Sequence, residues 1–310
     1  MILNEILNKV GEIRDFVNHP WKVEVLMQNR LLWEKVCTSM DVIEDTQLAI
    51  DSYFQHSRPC SFNSEYLLLY GFLQAIFMQQ DALSSLSIAL LNENIDFKAK
   101  YPELYQIREL RNDIIGHPTD RNKNKSFHNV SRYHLNKGSL FLSSYFTDTN
   151  KLEFREFNTE QLYNLQNNNV KVILDKAIAV FRKNQKNFKE QYQHMNLSDI
   201  VPQSFNYSVS KVYEGIYSGY PLAKMDYELL CSTHQELKKH LIQRFTSVAA
   251  YPGLKLVIDK VDFILQEIGK VIENKNLRDN RSAEIFWDGF VDRYKEIKEM
   301  LKEVDIEFQD

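Results

Sequence analysis

Residues 61–91 read SFNSEYLLLYGFLQAIFMQQDALSSLSIALL, and this stretch decides the fold class. Between Tyr66 and Leu90, apolar side chains fall on nearly every side of a helix drawn through the sequence. A helix that is apolar almost all round is normally buried among other helices. These residues therefore predict the central helix of a bundle, with Ser61 or Asn63 suited to cap its first turn.

The sequence on both sides of this stretch also predicts helices, since only 9 glycines and 7 prolines occur in 310 residues. Apolar residues recur with a helical period over 2–17 and 21–54. Pro102 is a good first residue for the next helix, which is expected to run to Ile115. After residue 158 a return helix is predicted to continue to about Tyr192. Residues 1–195 are therefore expected to form one helical bundle.

The convincing strands of the sequence lie between these last two helices. Three segments are rich in strand-forming residues and are separated by turn residues; they cover 130–135, 139–146 and 152–157. We expect a small β-hairpin or meander, at about 130–157, inserted into the bundle.

A second domain is expected beyond residue 195. Residues 196–205, which include Pro202, form the candidate linker. Four further helices are predicted at 207–218, 224–247, 252–275 and 281–306. The expected fold is all-α: domain 1–195 with the β insertion, followed by a C-terminal helical domain, 196–310, of unknown role.

Charge and cysteine content limit the class of function. A net charge of −4 gives no overall attraction to nucleic acid, so RNA contacts would have to rest on a local basic patch. The three cysteines are widely spaced and predict no metal site or disulfide framework. The start lacks the signal-peptide pattern, and the longest apolar run is too short to cross a bilayer. We expect a cytoplasmic protein that needs no membrane, metal or cofactor.

The candidate site lies at the end of the helix that begins at Pro102, where residues 108–118 read RELRNDIIGHP. Gly116 is placed to adopt the left-handed conformation after the helix, and Pro118 prevents the helix from resuming. In an unbroken helix Arg111 and His117 would differ by about 240° around the axis and point apart. A turn at Gly116 is expected to bring His117 back beside Arg111.

The spacing of Arg111, Asn112 and His117 resembles the R-x(4 to 6)-H signature of the HEPN superfamily. Its members are small helical bundles in which this motif often forms a metal-independent RNA-cleaving site at a dimer interface. The resemblance covers the motif and, more loosely, residues 1–195. The pairs Arg14/His19 and Arg121/His128 also fit the spacing. Only Arg111/His117 is predicted at the end of the helix that follows the central helix.

The resemblance implies an endoribonuclease, acting as a toxin or phage-defence effector, in which the RNA 2′-hydroxyl attacks the adjacent phosphorus. His117 would act as general acid or base, because an imidazole titrates near neutrality. Arg111 would clamp the phosphate with its forked donors, and Asn112 would orient His117 or bind substrate. A homodimer is implied, since one histidine cannot serve as both acid and base, and an antitoxin or regulatory protein is a candidate partner.

Asp113, Arg121, Lys123 and Lys125 are weaker candidates for substrate binding. The basic run after the motif could contact an RNA backbone, with Phe127 available to stack on a base. Asp113 could tune the Arg111–His117 pair or simply face solvent. The alternative function is a non-catalytic helical interaction or nucleotide-binding module. In that case the turn is only a helix cap, because cations near a helix C-terminus and a following Gly-x-Pro are ordinary features of helix ends.

Overall fold

In the computed structural model, the described residues are 3–19, 22, 29–55, 62–132, 138–218, 223–273 and 280–309. They form an all-α fold with one small three-stranded sheet, which confirms the predicted fold class. The chain divides into two compact units. Unit 1 comprises Met1–Val17 and Asn29–Arg182, and unit 2 comprises Asn18–Gln28 and Lys183–Asp310.

Unit 1 is a helical bundle around the helix that the sequence marked as central. Its helices are α1 Leu3–Val17, α2 Arg30–Gln55, α3 Phe62–Leu91, the short α4 Phe97–Lys100, α5 Pro102–Arg111 and the first part of α6 Thr159–Tyr192. Helix α3 packs against both α2 and α5. Its side chains at Leu69, Phe72 and Leu73 are fully buried, as expected of a central helix. The start of the helix predicted over 21–54 falls largely outside the described residues.

A chain of buried amides crosses the core of unit 1 and links α2, α3 and α6. The Gln80 Nε2 group donates to Gln166 Oε1 at 2.9 Å, and Gln166 Nε2 donates to Gln79 Oε1 at 2.7 Å. Gln79 Nε2 donates to Gln47 Oε1, and Gln47 Nε2 donates to Asp51 Oδ1, both at 3.0 Å. Burial raises the pKa of Asp51 at the acceptor end of this chain. Each amide thus donates and accepts within the core, as buried polar groups must.

The sheet is an antiparallel meander in the order β1-β2-β3, with β1 Ser126–Val130, β2 Ser139–Phe146 and β3 Lys151–Asn158. The expected meander is present, but the predicted start of its first strand at residue 130 was wrong. Ser126, His128 and Val130 alternate inward and are buried, so this polar segment pairs with β2. Residues 133–135 of the predicted strand lie outside the described part of the chain.

Unit 2 contains the end of α6 and the helices α7 Phe205–Ser218, α8 Ala223–Phe245, α9 Pro252–Glu273 and α10 Arg281–Gln309. Trp287 and Phe290 are fully buried at its centre. The division between the units falls inside α6, whereas the sequence placed it after residue 195. Phe188 accounts for the difference, because its ring lies 5.6 Å from that of Phe308 and belongs to the unit 2 core. Across the described residues, no helix combines the length and apolar character needed to cross a membrane.

Candidate functional site

The α-helical part of α5 ends at Arg111, and a π-helical turn, Asn112–Gly116, follows it directly. The His117 N–H donates to the Asn112 carbonyl at 2.8 Å, and His117 then leaves the helix with φ −143° and ψ 52°. Gly116 is not left-handed, since Gly138 is the one described glycine with positive φ. The expected glycine turn was therefore wrong: a wider π turn, which often occurs at functional sites, ends this helix.

The π turn brings the backbone before His117 against the Arg111 guanidinium. A Cβ atom built on Gly116 would lie 3.1 Å from Arg111 Nη1 and 3.3 Å from Asn112 Oδ1. The guanidinium therefore lies close to the backbone of the residue directly preceding His117. Among the described residues, the Arg111 and His117 side chains form no hydrogen bond with each other. Asn112 joins the two, because its side chain binds Arg111 and its carbonyl accepts from the His117 N–H.

Arg111 is held in place by helix α3. Its Nε and Nη2 atoms both donate to Gln74 Oε1, at 3.1 and 2.8 Å, and its Nη1 atom donates to Asn112 Oδ1 at 3.0 Å. The guanidinium carbon also lies 4.3 Å from the centre of the Phe77 ring, within cation–π distance. Gln74 and Phe77 were not predicted as site residues. The available signal was Gln74 itself, a polar side chain within the longest apolar run.

His117 is exposed at the surface of unit 1. Within the described part of the chain, its imidazole makes no hydrogen bond or ion pair. The site thus combines a guanidinium of fixed orientation with an imidazole that is open to solvent and to a bound molecule. Such a pair supplies the two functions that phosphodiester cleavage requires, charge stabilisation and proton transfer.

Asp113 faces the sheet and lies in a buried ion-pair cluster. Its Oδ1 accepts from Arg121 Nε and its Oδ2 accepts from Arg155 Nη2, both at 3.1 Å. Arg121 Nη2 also donates to Glu109 Oε2 at 2.7 Å. The Asp113 and Arg121 side chains are only 12% and 14% exposed. These two residues were predicted to bind substrate, but in the structure they bind each other. Arg155 was not predicted from the sequence as a member of this site, because its pairing with Asp113 depends on the register of β3.

His128 lies behind Asp113 on strand β1. Its Nδ1 atom lies 2.9 Å from Ser144 Oγ, and its Nε2 atom lies 3.0 Å from Ser126 Oγ and 3.5 Å from Asp113 Oδ1. Burial lowers the pKa of His128, and the Asp113 carboxylate opposes that effect. This histidine therefore belongs to the buried cluster.

Lys123 and Lys125 lie on an exposed left-handed turn between the motif and β1. Asn122, Lys123 and Asn124 have φ values of 54°, 60° and 61°, and the Lys125 N–H donates to the Arg121 carbonyl at 3.0 Å. Asparagine tolerates the left-handed region better than most residues, which suits two of the three positions. Neither lysine forms an ion pair with another described residue, so both ammonium groups are available to a ligand.

Among the residues that the structure describes, no group of three or more His, Cys, Asp or Glu side chains could hold a metal ion. No model of a known protein family, no curated protein and no solved structure matches this chain.

Proposed function

We propose that this chain is a HEPN-like endoribonuclease that cleaves RNA without a metal ion. The observation that carries the proposal is the close approach of the Arg111 guanidinium to the π turn that presents His117. A guanidinium has five N–H donors, and three of those of Arg111 bind Gln74 and Asn112. Two N–H groups remain, one on each terminal nitrogen, and can bind two oxygens of one phosphate.

In the proposed reaction, the RNA 2′-oxygen forms a bond to the adjacent phosphorus and its proton moves to the His117 imidazole. Arg111 stabilises the charge that develops on the phosphorane. The bond from phosphorus to the 5′-oxygen then breaks. An imidazolium from a second copy supplies the proton to that leaving oxygen, so the proposal includes a homodimer. The products are a 2′,3′-cyclic phosphate and a 5′-hydroxyl.

The cellular setting belongs to the same proposal. A cytoplasmic toxin or phage-defence effector needs an RNA substrate and a regulatory partner such as an antitoxin. The resemblance of the motif to that of the HEPN superfamily supports this setting.

The test compares cleavage of an end-labelled single-stranded RNA by the wild-type protein, His117→Ala and Arg111→Ala, in buffer containing EDTA. Loss of the acid–base group should slow cleavage by about 10²- to 10⁴-fold, and Arg111→Lys should rescue little because lysine lacks the fork. His194→Ala and Arg30→Ala change exposed residues that are not part of the site and serve as controls. Products should carry cyclic phosphate ends, and equal cleavage by all variants would reject the proposal.

The internal hydrogen bonds of Arg111 favour one other function, a non-catalytic helical module in which the guanidinium closes the end of α5. The same variants separate the two. A module predicts that Arg111→Ala lowers stability, that His117→Ala has no effect, and that the wild-type protein does not cleave RNA.

A further inference from the structure

The outer face of the sheet carries aromatic and apolar side chains in register across all three strands. Phe127 on β1 lies opposite Tyr145 on β2, and Tyr145 lies opposite Leu152 on β3. In the next outward-facing row, Ser143 lies opposite Phe154. Tyr145, Leu152 and Phe154 are 38%, 58% and 71% exposed. These side chains therefore form a surface, which we call the outer aromatic face and define by these five residues.

The outer aromatic face is not part of the core of unit 1. The other face of the sheet is buried through Leu140, Leu142 and Val130. A sheet that covers a core on one side normally shows polar side chains to water on the other. Here the Phe127 and Tyr145 rings lie 6.4 Å apart at 28°, with Phe127 half-buried and Tyr145 exposed. An exposed apolar surface of this kind marks a site for a ligand or for another macromolecule.

Two lysines lie at one end of this face. The Thr147 N–H donates to the Lys125 carbonyl at 3.0 Å, which places the lysine turn beside the Phe127–Tyr145 row. Lys123 and Lys125 are exposed and form no ion pair with another described residue. Among the strand residues that face outward, Glu156 on β3 is the one acidic residue. It lies opposite Phe141, at the end of the sheet away from the lysines.

We propose that single-stranded RNA binds across the outer aromatic face, with bases stacked on Tyr145 and Phe154 and phosphates near Lys123 and Lys125. Rings that accept bases beside cations that accept phosphates are the chemistry by which proteins hold single strands. The choice of RNA rests on the proposed function. The His128 N–H donates to the Pro118 carbonyl at 2.7 Å, so the segment that carries His117 runs along the free edge of β1. A strand on the face would thus lead toward the candidate site.

A second protein molecule fits this face less well than RNA does. Three strands spaced about 4.8 Å apart, each with five to eight residues rising about 3.3 Å, present only about 200–400 Å². A stable protein interface needs about 800 Å² on each partner. The exposed edge strand also alternates charges at Lys151, Glu153 and Arg155, which discourages pairing with another strand.

The test measures the binding of a fluorescent single-stranded RNA to the full chain by anisotropy. Every protein in the test also carries His117→Ala, which prevents cleavage. Tyr145→Leu and Phe154→Leu keep an apolar side chain and remove the ring. Each should raise the Kd for RNA by about 5- to 150-fold, which is the range for loss of one stacked base. Phe154→Trp keeps a ring and should bind RNA with the original affinity. Tyr207→Leu, at an exposed aromatic of unit 2, is the matched control, and circular dichroism verifies folding.

The lysine contacts have a separate readout. Lys123→Gln with Lys125→Gln should lower the slope of log Kd against log salt concentration by about 1.4, the value for two phosphates of a single strand. Unchanged affinity of both leucine variants would overturn the inference. So would a loss of self-association in those variants, measured by sedimentation, with RNA binding intact. RNA binding through this face without cleavage by the wild-type chain would instead reject only the proposed function.

Discussion

At the scale of single residues, adding one methyl group at Gly116 should lower RNA cleavage while leaving stability nearly unchanged. Its backbone is helical, so Gly116→Ala gains about 0.5–1 kcal/mol of helix propensity. The new Cβ at 3.1 Å must push the Arg111 guanidinium away by a few tenths of an ångström. We expect cleavage to fall about tenfold, because small misplacements of a catalytic group are costly, and the free energy of unfolding to stay within about 0.5 kcal/mol of wild type.

Single-turnover cleavage and urea unfolding of the same preparations measure these two quantities. Gly71→Ala is the control, because a Cβ at that helical position meets nothing within 4 Å, and it should leave cleavage unchanged. If Gly116→Ala lowered stability as much as activity, the glycine would serve the fold and the site would lose its main support.

Asp113 gives the second prediction for a single residue. Asp113→Asn keeps the shape of the side chain but leaves Arg121 and Arg155 without their shared carboxylate. Removing one partner of a buried ion pair is strongly destabilising, and the 41% exposure of Arg155 moderates the cost. We expect the free energy of unfolding to fall by about 2–3 kcal/mol. Lys123→Gln, at an exposed lysine of the neighbouring turn, should have no measurable effect on unfolding, and a similar result for Asp113→Asn would contradict the cluster.

At the scale of helices, the amide chain that links α2, α3 and α6 should behave as one unit. Gln79→Leu leaves Gln47 Oε1 without its donor and Gln166 Nε2 without its acceptor. Unsatisfied buried groups cost about 1–3 kcal/mol each, so for these two groups we expect a loss of about 2–6 kcal/mol. Gln166→Leu should cost a similar amount. The double variant should lose at least about 1 kcal/mol less than the sum of the two, since the partners then disappear together.

Chemical denaturation of the four proteins in this double-mutant cycle measures the coupling. Gln235→Leu, at an exposed position of α8, is the matched control and should change stability by no more than about 0.5 kcal/mol. Strict additivity of Gln79→Leu and Gln166→Leu would show that the amides contribute separately.

The helices were predictable from sequence because burial imposes a period on apolar residues. The apolar run in residues 66–90 identified α3 as central, and Pro102 marked the start of α5. The π turn was not predictable, because the residues Asn112–Gly116 carry no signal that distinguishes an i+5 hydrogen bond from a glycine turn. The contact between Asp113 and Arg155 depends on strand register, and the contact between Arg111 and Gln74 depends on how α3 and α5 pack. The spacing of residues along the sequence predicts neither of these contacts.

At the scale of the whole molecule, two buried histidines should make stability depend on pH. Burial lowers the pKa of His128 in unit 1 and of His234 in unit 2, while nearby carboxylates oppose this in both cases. An unfolded histidine titrates at about 6.5. Below that pH the unfolded chain binds protons that the folded chain does not, so the free energy of unfolding should decrease as pH falls from 7 and level off below the folded pKa values.

The slope contributed by each histidine is at most about 1.4 kcal/mol per pH unit. Urea unfolding between pH 8 and 5.5 measures it, and His128→Gln and His234→Gln should each flatten the curve. His194→Gln, at an exposed position, should leave it unchanged. The buried Asp51 acts in the opposite direction, because its pKa is raised, but it is common to all these variants and cancels in their comparison. A stability that stayed flat from pH 8 to 5.5, or a slope that neither buried-histidine variant altered, would show that these imidazoles are not held neutral by the fold.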